Sequence, residues 1–360
     1  MTTKEIVLQS LKSLKDGEFI SGEELASSSS VSRTAIWKAI RSLEEDGYKI
    51  EAVTNKGYRI LSLPDRLSAA EIEKYLCQNG ISGVKAFTFS EIDSTNAQAK
   101  RRAVETGSFR DSQGQLTEKG REAHLSLFAS ECQTGGKGRL GRIFVSPKDS
   151  GVYFSLLYSP RGGVKNPALY TGAAALAVAR AIFKLYGEKC GIKWVNDIFL
   201  GGKKISGILV EGIANFETNS IDAAVVGIGI NIKKNPHLSG DIAKVAGSIE
   251  EAKSLKNEEF VSKGKNLLVA EVVKNLIEFY GAFEKNDEKI KSQMISEYRS
   301  LSILTGVGVT VNPVAGCAGQ TYRAMVKDID EEMNLVVEKS DGKIEKLSSG
   351  EVSLHSYDFV

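Results

Sequence analysis

The hydrophobic period changes twice along this 360-residue chain, so no single repeating architecture accommodates it. Up to residue 64 the pattern predicts three helices and a hairpin. Ile6, Val7, Leu11 and Leu14 recur at helical spacing before Gly17, a glycine of the kind that ends helices. Ser21 precedes Glu23, Glu24, Leu25 and Ala26 as an N-terminal cap, and the serines 27–30 read as a turn. Ser32 caps a third helix. One face of it carries Ala35, Ile36, Ala39, Ile40 and Leu43, the other Arg33, Thr34, Trp37, Lys38 and Arg41. After Gly47, runs 48–53 and 58–61 flank Thr54-Asn55-Lys56-Gly57 as two short strands with a basic tip. This order is that of a winged helix-turn-helix over residues 1–64.

Its charge is polarised although its balance is nil: nine Lys/Arg meet nine Asp/Glu, yet positions 31–43 hold three cations and no acid. Such a helix meets phosphates and guanine edges in a major groove while the wing touches the backbone. Ser32, Arg33, Thr34, Lys38, Arg41 and Lys56 are the candidate DNA contacts. A merely solvated face is the rival reading of the helix taken alone. For Trp37, packing on the wing or another domain is favoured over stacking on a base.

Leu63-Pro64-Asp65 reads as a linker, because proline and its predecessor resist continuing a helix. Residues 66–302 then alternate, with helices expected at 69–76, 96–105, 168–185, 261–283 and 290–300. Strands are expected at 85–89, 125–129, 152–157, 191–194, 204–212 and 223–232. That is an α+β domain with a mixed sheet. The polar stretches 106–124 and 233–265 read as surface insertions. Beyond Leu304 the helical period vanishes, and short strands at 308–311, 322–329, 335–338, 343–348 and 352–356 predict a small β-barrel over 303–360.

Composition removes several classes. With 42% hydrophobic and 26% charged residues the chain folds, and a net charge of +2 announces no partner. The longest apolar run, 173–183, is broken by Arg180 and is shorter than the ~18–20 residues of a membrane span. The N-terminus lacks the pattern of a signal peptide, so a cytoplasmic protein with no membrane partner is expected. Cys77, Cys132, Cys190 and Cys317 form no CxxC pair, and His124, His237 and His355 are scattered, which argues against disulfides and structural zinc.

The stretches that carry chemistry lie between. In Glu131-Cys132-Gln133-Thr134-Gly135-Gly136-Lys137-Gly138-Arg139-Leu140-Gly141-Arg142, glycines let the backbone approach a ligand and three cations surround an anion. It is no Walker A loop, since no GK[ST] follows the required spacing; alone it also reads as a floppy basic loop. Lys193-Trp194-Val195-Asn196-Asp197 puts a cation, an amide and a carboxylate within five residues, a set able to hold phosphate, carboxylate and Mg²⁺, or an ordinary Asn-Asp turn. Lys204-Ile205-Ser206-Gly207 opens an apolar strand, and Gly227-Ile228-Gly229-Ile230-Asn231 lies on a buried one where a flat group can come close.

Together with Asp93-Ser94-Thr95-Asn96, these five motifs, in this order, resemble the biotin protein ligases. Residues 21–25 and 31–38 with Asn55-Lys56-Gly57-Tyr58 resemble the bifunctional members that also repress biotin operons. The resemblance spans essentially the whole chain. It implies a class II synthetase-like central domain and an SH3-like C-terminal barrel.

The implied chemistry has two steps: biotin and ATP form biotinyl-5′-AMP, and a lysine of biotin carboxyl carrier protein then takes the biotin. By similarity Ser94, Thr95, Asn96, Gln133, Gly136, Lys137, Gly138, Arg139 and Lys204 bind biotin. Lys193, Asn196, Asn231 and Arg142 serve the nucleotide, Asp197 serves Mg²⁺, and Lys193, Arg139 and Arg142 carry catalysis. The adenylate would double as corepressor of a homodimer on biotin operator DNA. The family's loop usually has arginine where Lys137 stands, its proline is Val195 here, and an arginine near the C-terminus is His355. A biotin-sensing regulator with weak or no ligase activity, a ligase with a vestigial DNA-binding domain, and a lipoate-specific homologue are the alternatives.

Overall fold

The computed structural model describes residues 2–15, 17–45, 47–62, 65–215, 219–236, 238–256, 262–312 and 321–348, with backbone alone at 351–354. His237, Cys317, Gly350 and His355 lie outside the described residues. The chain divides into two compact units, Met1–Arg66 and Leu67–Val360.

In the first, α1 (Thr3–Lys12), α2 (Gly22–Ser29) and α3 (Arg33–Glu45) precede strands β1 (Lys49–Val53) and β2 (Gly57–Ser62). Ser21 Oγ accepts from Glu24 N while the Glu24 carboxylate accepts from Ser21 N, so two orphan donors of α2 are satisfied together. Two helix ends differ from expectation. The α1 helix stops a turn before Gly17, and α2 runs on through Ser27–Ser29 to Ser30, whose φ of 53° breaks it. Val7, Leu11, Leu25, Ile36, Ala39, Ile40 and Leu43 form the core, and Ser32, Arg33, Thr34, Lys38 and Arg41 are exposed as the helical spacing required. Trp37 is 53% exposed, with the Arg41 guanidinium 5.4 Å from its ring centre. Ile20 pairs with Tyr58, giving the β1–β2 hairpin a third short segment.

The second unit contains α4 (Ala69–Gln78), β3 (Lys85–Phe89), α5 (Thr95–Thr106), α6 (Glu118–Ala123), β4 (Ser126–Ser130), β5 (Gly151–Tyr158) and α7 (Pro167–Tyr186). It continues with β6 (Gly191–Lys193), β7 (Asp197–Leu200), β8 (Lys203–Asn215), β9 (Ser220–Asn231), α8 (Gly240–Val245) and α9 (Ile249–Leu255). The last elements are α10 (Lys265–Glu284), α11 (Glu288–Ser300), β10 (Gly308–Asn312), β11 (Tyr322–Ile329), β12 (Leu335–Lys339), β13 (Ile344–Leu347) and β14 (Glu351–Leu354). A seven-stranded sheet runs β3-β4-β5-β9-β8-β7-β6, parallel at β3–β4 and antiparallel elsewhere.

Strand alternation gives this sheet two faces. Leu127, Ala129, Phe154 and Leu156 point to a core shared with α4, α7, α10 and α11; Phe128, Leu157, Ala223 and Val225 point to a smaller one with α5 and α6. The larger core continues through Val309, Val326, Leu335 and Val337 into a five-stranded antiparallel sheet, β13-β12-β11-β10-β14, so residues after 303 pack within the same unit.

Three expectations change here. The apolar run at 173–183 lies in a 20-residue helix, α7, long and apolar enough by length and composition to cross a membrane; 67% of its apolar window is buried within the unit, as a core helix is. Residues 106–124 are more than an exposed insertion. Phe109 is 1% exposed, and the Arg110 guanidinium donates to the carbonyls of Ser159 (2.7 Å), Gly114 (2.9 Å) and Pro160 (3.1 Å), so a polar side chain is used inward to satisfy a loop. Within 233–265, α8 and α9 form, and Ile249 and Ala252 are buried.

Gly57 has φ +108°, and a Cβ there would lie 2.1 Å from the Ile20 carbonyl oxygen. Gly57→Ala must therefore break the Ile20–Tyr58 pairing, and it is expected to cost the first unit about 1–3 kcal/mol. A lowered urea midpoint of the full chain by far-UV circular dichroism checks this.

Candidate active site

The second face of β5, β9 and β8 floors a cavity of about 240 Å³. At its inner end Ser94 caps α5, its Oγ accepting from Ala97 N, which presents Thr95 and Asn96 to the cavity in buried positions. Thr95 donates to Gln133 Oε1 from both backbone N (2.9 Å) and Oγ1 (3.1 Å), and Gln133 Nε2 donates to Ser146 Oγ at 2.9 Å. Ser155 Oγ lies 2.7 Å from Thr95 Oγ1 and 2.6 Å from Asn96 Oδ1, while Asn96 Nδ2 donates to Glu211 Oε2 at 2.8 Å. The polar end is thus preset by one continuous hydrogen-bond chain. Ser155 was missed in the sequence because it sits inside an apolar strand, where no charge or glycine pattern marks it; Glu211 closes the motif that Lys204 opens, but no role was assigned to it there.

The glycine-rich segment is an ordered hairpin. Phe144 N donates to Gly136 O at 2.9 Å, Gly138 N to Arg142 O at 2.7 Å, and Lys137 pairs with Ile143. Gly136 is required at its base, since a Cβ would meet Phe144 O at 2.4 Å. The hairpin returns Phe144 onto the sheet, where Cβ atoms at Gly207 and Gly229 would come within 3.1 and 2.4 Å of its ring. So the flat group admitted by Gly229 is a side chain of this protein. At Gly227 the close neighbour is the Asn96 amide, 1.9 Å from where a Cβ would stand. Phe144 was missed too, and its place right after the cationic loop was the available signal.

The third wall is the turn joining β6 to β7, which carries Lys193, Asn196 and Asp197; its Trp194–Val195 peptide is cis. Asn196 Nδ2 donates to Ile208 O, and Arg139 Nη1 donates to Asn196 Oδ1, both at 3.0 Å, which ties hairpin to turn. Lys204 Nζ lies 2.7 Å from Asp197 Oδ1, an ion pair without hydrogen-bond geometry, so this buried oxygen has no hydrogen-bond partner. Among the described residues no group of three His, Cys, Asp or Glu side chains is placed to hold a metal. Asp197 is the one carboxylate lining the cavity and the residue there that could hold a hard cation.

Ser94, Thr95, Asn96, Gln133, Lys137, Gly138, Arg139, Arg142, Lys193, Asn196, Asp197 and Lys204 therefore line one cavity, five cations against one carboxylate. Gly136 stands at the hairpin base. Asn231 lies next door, in a mainly apolar pocket of about 310 Å³ walled by Ile143, Phe144, Val145, Leu238, Ile242 and Val245. Such a pair of pockets can hold a polyanion with a flat apolar group beside it. The six candidate DNA contacts belong to the first unit, where Arg33 pairs with Glu23 (2.6 Å) and Arg41 with Glu44 (3.2 Å).

Three family models match the chain: the biotin/lipoate A/B protein ligase family over residues 109–231, an HTH domain over 7–59, and a biotin protein ligase C-terminal domain over 312–355. The bifunctional ligase/repressor BirA of Bacillus subtilis is 29% identical, with 94% of each chain covered, and that of Escherichia coli 28% identical with 99% of each covered. A solved biotin protein ligase from Aquifex aeolicus, in complex with biotin and ATP, superposes with a TM-score of 0.57 at 22% identity, covering 75% of this chain and 98% of that one.

Two outcomes are expected of the site itself. Gly227→Ala drives a methyl into the Asn96 amide and breaks the hydrogen-bond chain, so ligand affinity, measured by calorimetry, falls by about tenfold or more. Arg101 donates twice to Asp93 (2.8 and 2.9 Å) and holds that carboxyl at about 2, below its ordinary 3.8. A depressed carboxyl stabilises the fold above its unfolded value and loses that contribution as pH falls through the folded one. Between about pH 4 and 2, the melting temperature of Asp93→Asn should therefore decline less than that of the wild type.

Proposed function

We infer a bifunctional biotin ligase and biotin-responsive repressor, since the biotin/lipoate A/B protein ligase model matches residues 109–231, a helix-turn-helix model matches the unit ahead of them, and the relatives that match over nearly the whole chain are bifunctional ligase/repressors. The observation that carries the reading is the convergence of five cations and a prebuilt polar chain on one cavity.

In the first step a biotin carboxylate oxygen attacks the α-phosphorus of ATP. The new P–O bond forms as the bond to the β-phosphate bridging oxygen breaks, giving biotinyl-5′-AMP and pyrophosphate. The nucleophile is already ionised, so the step needs charge compensation more than a general base. Lys193 serves between carboxylate and α-phosphate, Arg142 toward the departing pyrophosphate, and Lys137 and Arg139 from the hairpin. Thr95, Asn96 and Gln133, backed by Ser155 and Glu211, take the biotin ring system; Ser94, Gly136, Gly138 and Lys204 complete that end. The apolar pocket beside Asn231 takes the adenine, with Asn196 on the nucleotide. Asp197, the one carboxylate lining the cavity, would hold a magnesium ion, which would supply further neutralisation of charge. In the second step a lysine amine of biotin carboxyl carrier protein attacks the acyl carbon, and AMP leaves.

The same adenylate acts as corepressor. A two-fold operator calls for a homodimer presenting two winged units, with Ser32, Arg33, Thr34, Lys38, Arg41 and Lys56 toward DNA. We assign 1–64 to DNA binding, 66–302 to catalysis and 303–360 to an SH3-like barrel, a reading supported by five short antiparallel strands in sequence. The seven-stranded sheet is read as class II synthetase-like. A cytoplasmic protein without a membrane partner agrees with both activities.

Biotin-dependent exchange of labelled pyrophosphate into ATP tests the first half. Lys193→Ala is expected to lower it about 10²–10³-fold, with loss on omitting Mg²⁺; a folded wild type without exchange overturns the ligase reading. Filter binding to operator DNA tests the second, through an affinity that falls with salt. There Glu23→Gln releases Arg33 for phosphate and should tighten binding by roughly two- to fivefold.

A further inference from the structure

The turn that carries Lys193, Asn196 and Asp197 is held from outside its own sheet. Trp194, 4% exposed, donates its indole N–H to the Met333 carbonyl oxygen at 2.8 Å, and Tyr298 O–H donates to Val195 O at 3.2 Å. Met333 belongs to the turn between β11 and β12, is wholly buried, and has φ +63°, a left-handed conformation that a side-chain-bearing residue rarely adopts. The turn over-determines it. Met333 N donates to Asp330 O at 3.0 Å, the Asp330 carboxylate accepts from Glu332 N and Asn334 N, and the cap of α7, Asn166, donates to Glu332 O. The Met333 side chain enters α7 where Gly172 leaves room: a Cβ on Gly172 would lie 2.2 Å from Met333 Cε.

We propose that Met333 is a positioning residue for the adenylation step: plugged against Gly172, it fixes the Trp194 indole and through it the placement of Lys193. Strained residues persist where their surroundings enforce them and are a pointer to function, and displacing a reacting group by about an ångström costs on the order of 10²-fold in rate. The biotin-ring contacts Thr95 and Asn96, on α5, and Gln133, in the segment between β4 and β5, lie apart from this plug. The proposal rests on the ligase reading above and adds to it a part for the C-terminal sheet that no active-site contact reveals.

The test is pyrophosphate exchange by the full chain, with kcat and biotin KM measured well below each variant's melting temperature. Met333→Ala should lower kcat by about tenfold with biotin KM within about twofold, and Met333→Leu should recover kcat to within about twofold of wild type. Gly172→Ala should lower kcat similarly by expelling Met333. The double variant should match Met333→Ala instead of multiplying the two losses, because both act on one contact. Wild-type kcat in Met333→Ala, or losses that multiply, overturns the positioning role. Should Met333→Ala fail to fold, Gly172→Ala beside Met333→Leu decides, wild-type kcat in Gly172→Ala overturning it. A wild type without exchange sinks the ligase reading, and the proposal falls with it.

Discussion

Five cations facing one cavity with a single carboxylate among them repel one another, and a fold that keeps them there must hold each from outside. That constraint organises the second unit. Asp197 draws Lys204, the Asn196 amide draws Arg139, and Asn196 is itself fixed to the backbone of β8. The charge so assembled is useful only toward an anionic ligand, whose arrival relieves the repulsion. Binding energy and scaffold energy are therefore coupled in this cavity, in contrast to the apolar cores, where packing alone sets the geometry.

The floor beneath those charges is equally specific. Gly207, Gly227 and Gly229 lie where side chains would otherwise project, and the vacated space is taken by Phe144 and by the Asn96 amide. The sheet can thus be continuous in hydrogen bonding and still concave on one face. Ser155 and Glu211 then finish what the glycines open, since Asn96, brought so close to the backbone, needs partners for both ends of its amide.

How far this was legible in the sequence depended on whether function and folding left the same mark. The basic face of α3 and the capped start of α2 were readable because helical spacing and caps are local. Gly138, the five cations, Asn196 and Asp197 were readable because glycines and charges break the strand pattern at strand ends, whereas Ser94, Thr95, Asn96 and Gln133 were reached only through the family resemblance. Ser155 broke no pattern and Glu211 stood at the end of the strand that Lys204 opens without a sign of its role, because their partners are 59 or more positions away in the chain. Residues 106–124 misled for the opposite reason: their polarity suggested exposure, while Arg110 spends its donors on buried carbonyls and Phe109 is enclosed. The hairpin order of residues 136–144 was hidden by a composition that looks flexible and is in fact constrained by backbone pairing.

The indole of Trp194 finds its acceptor 139 residues further along the chain. During synthesis, at roughly 5–20 residues per second, that interval corresponds to about 7–28 s in which the turn bearing Lys193 lacks its anchor, and the remaining strands of the seven-stranded sheet are completed early in it. A nascent or truncated chain can pair every strand of that sheet and still have an unseated turn at Lys193. The order of emergence thus makes a late-made segment the one that seats this wall of the cavity, so that its five cations reach their places only in a nearly complete polypeptide.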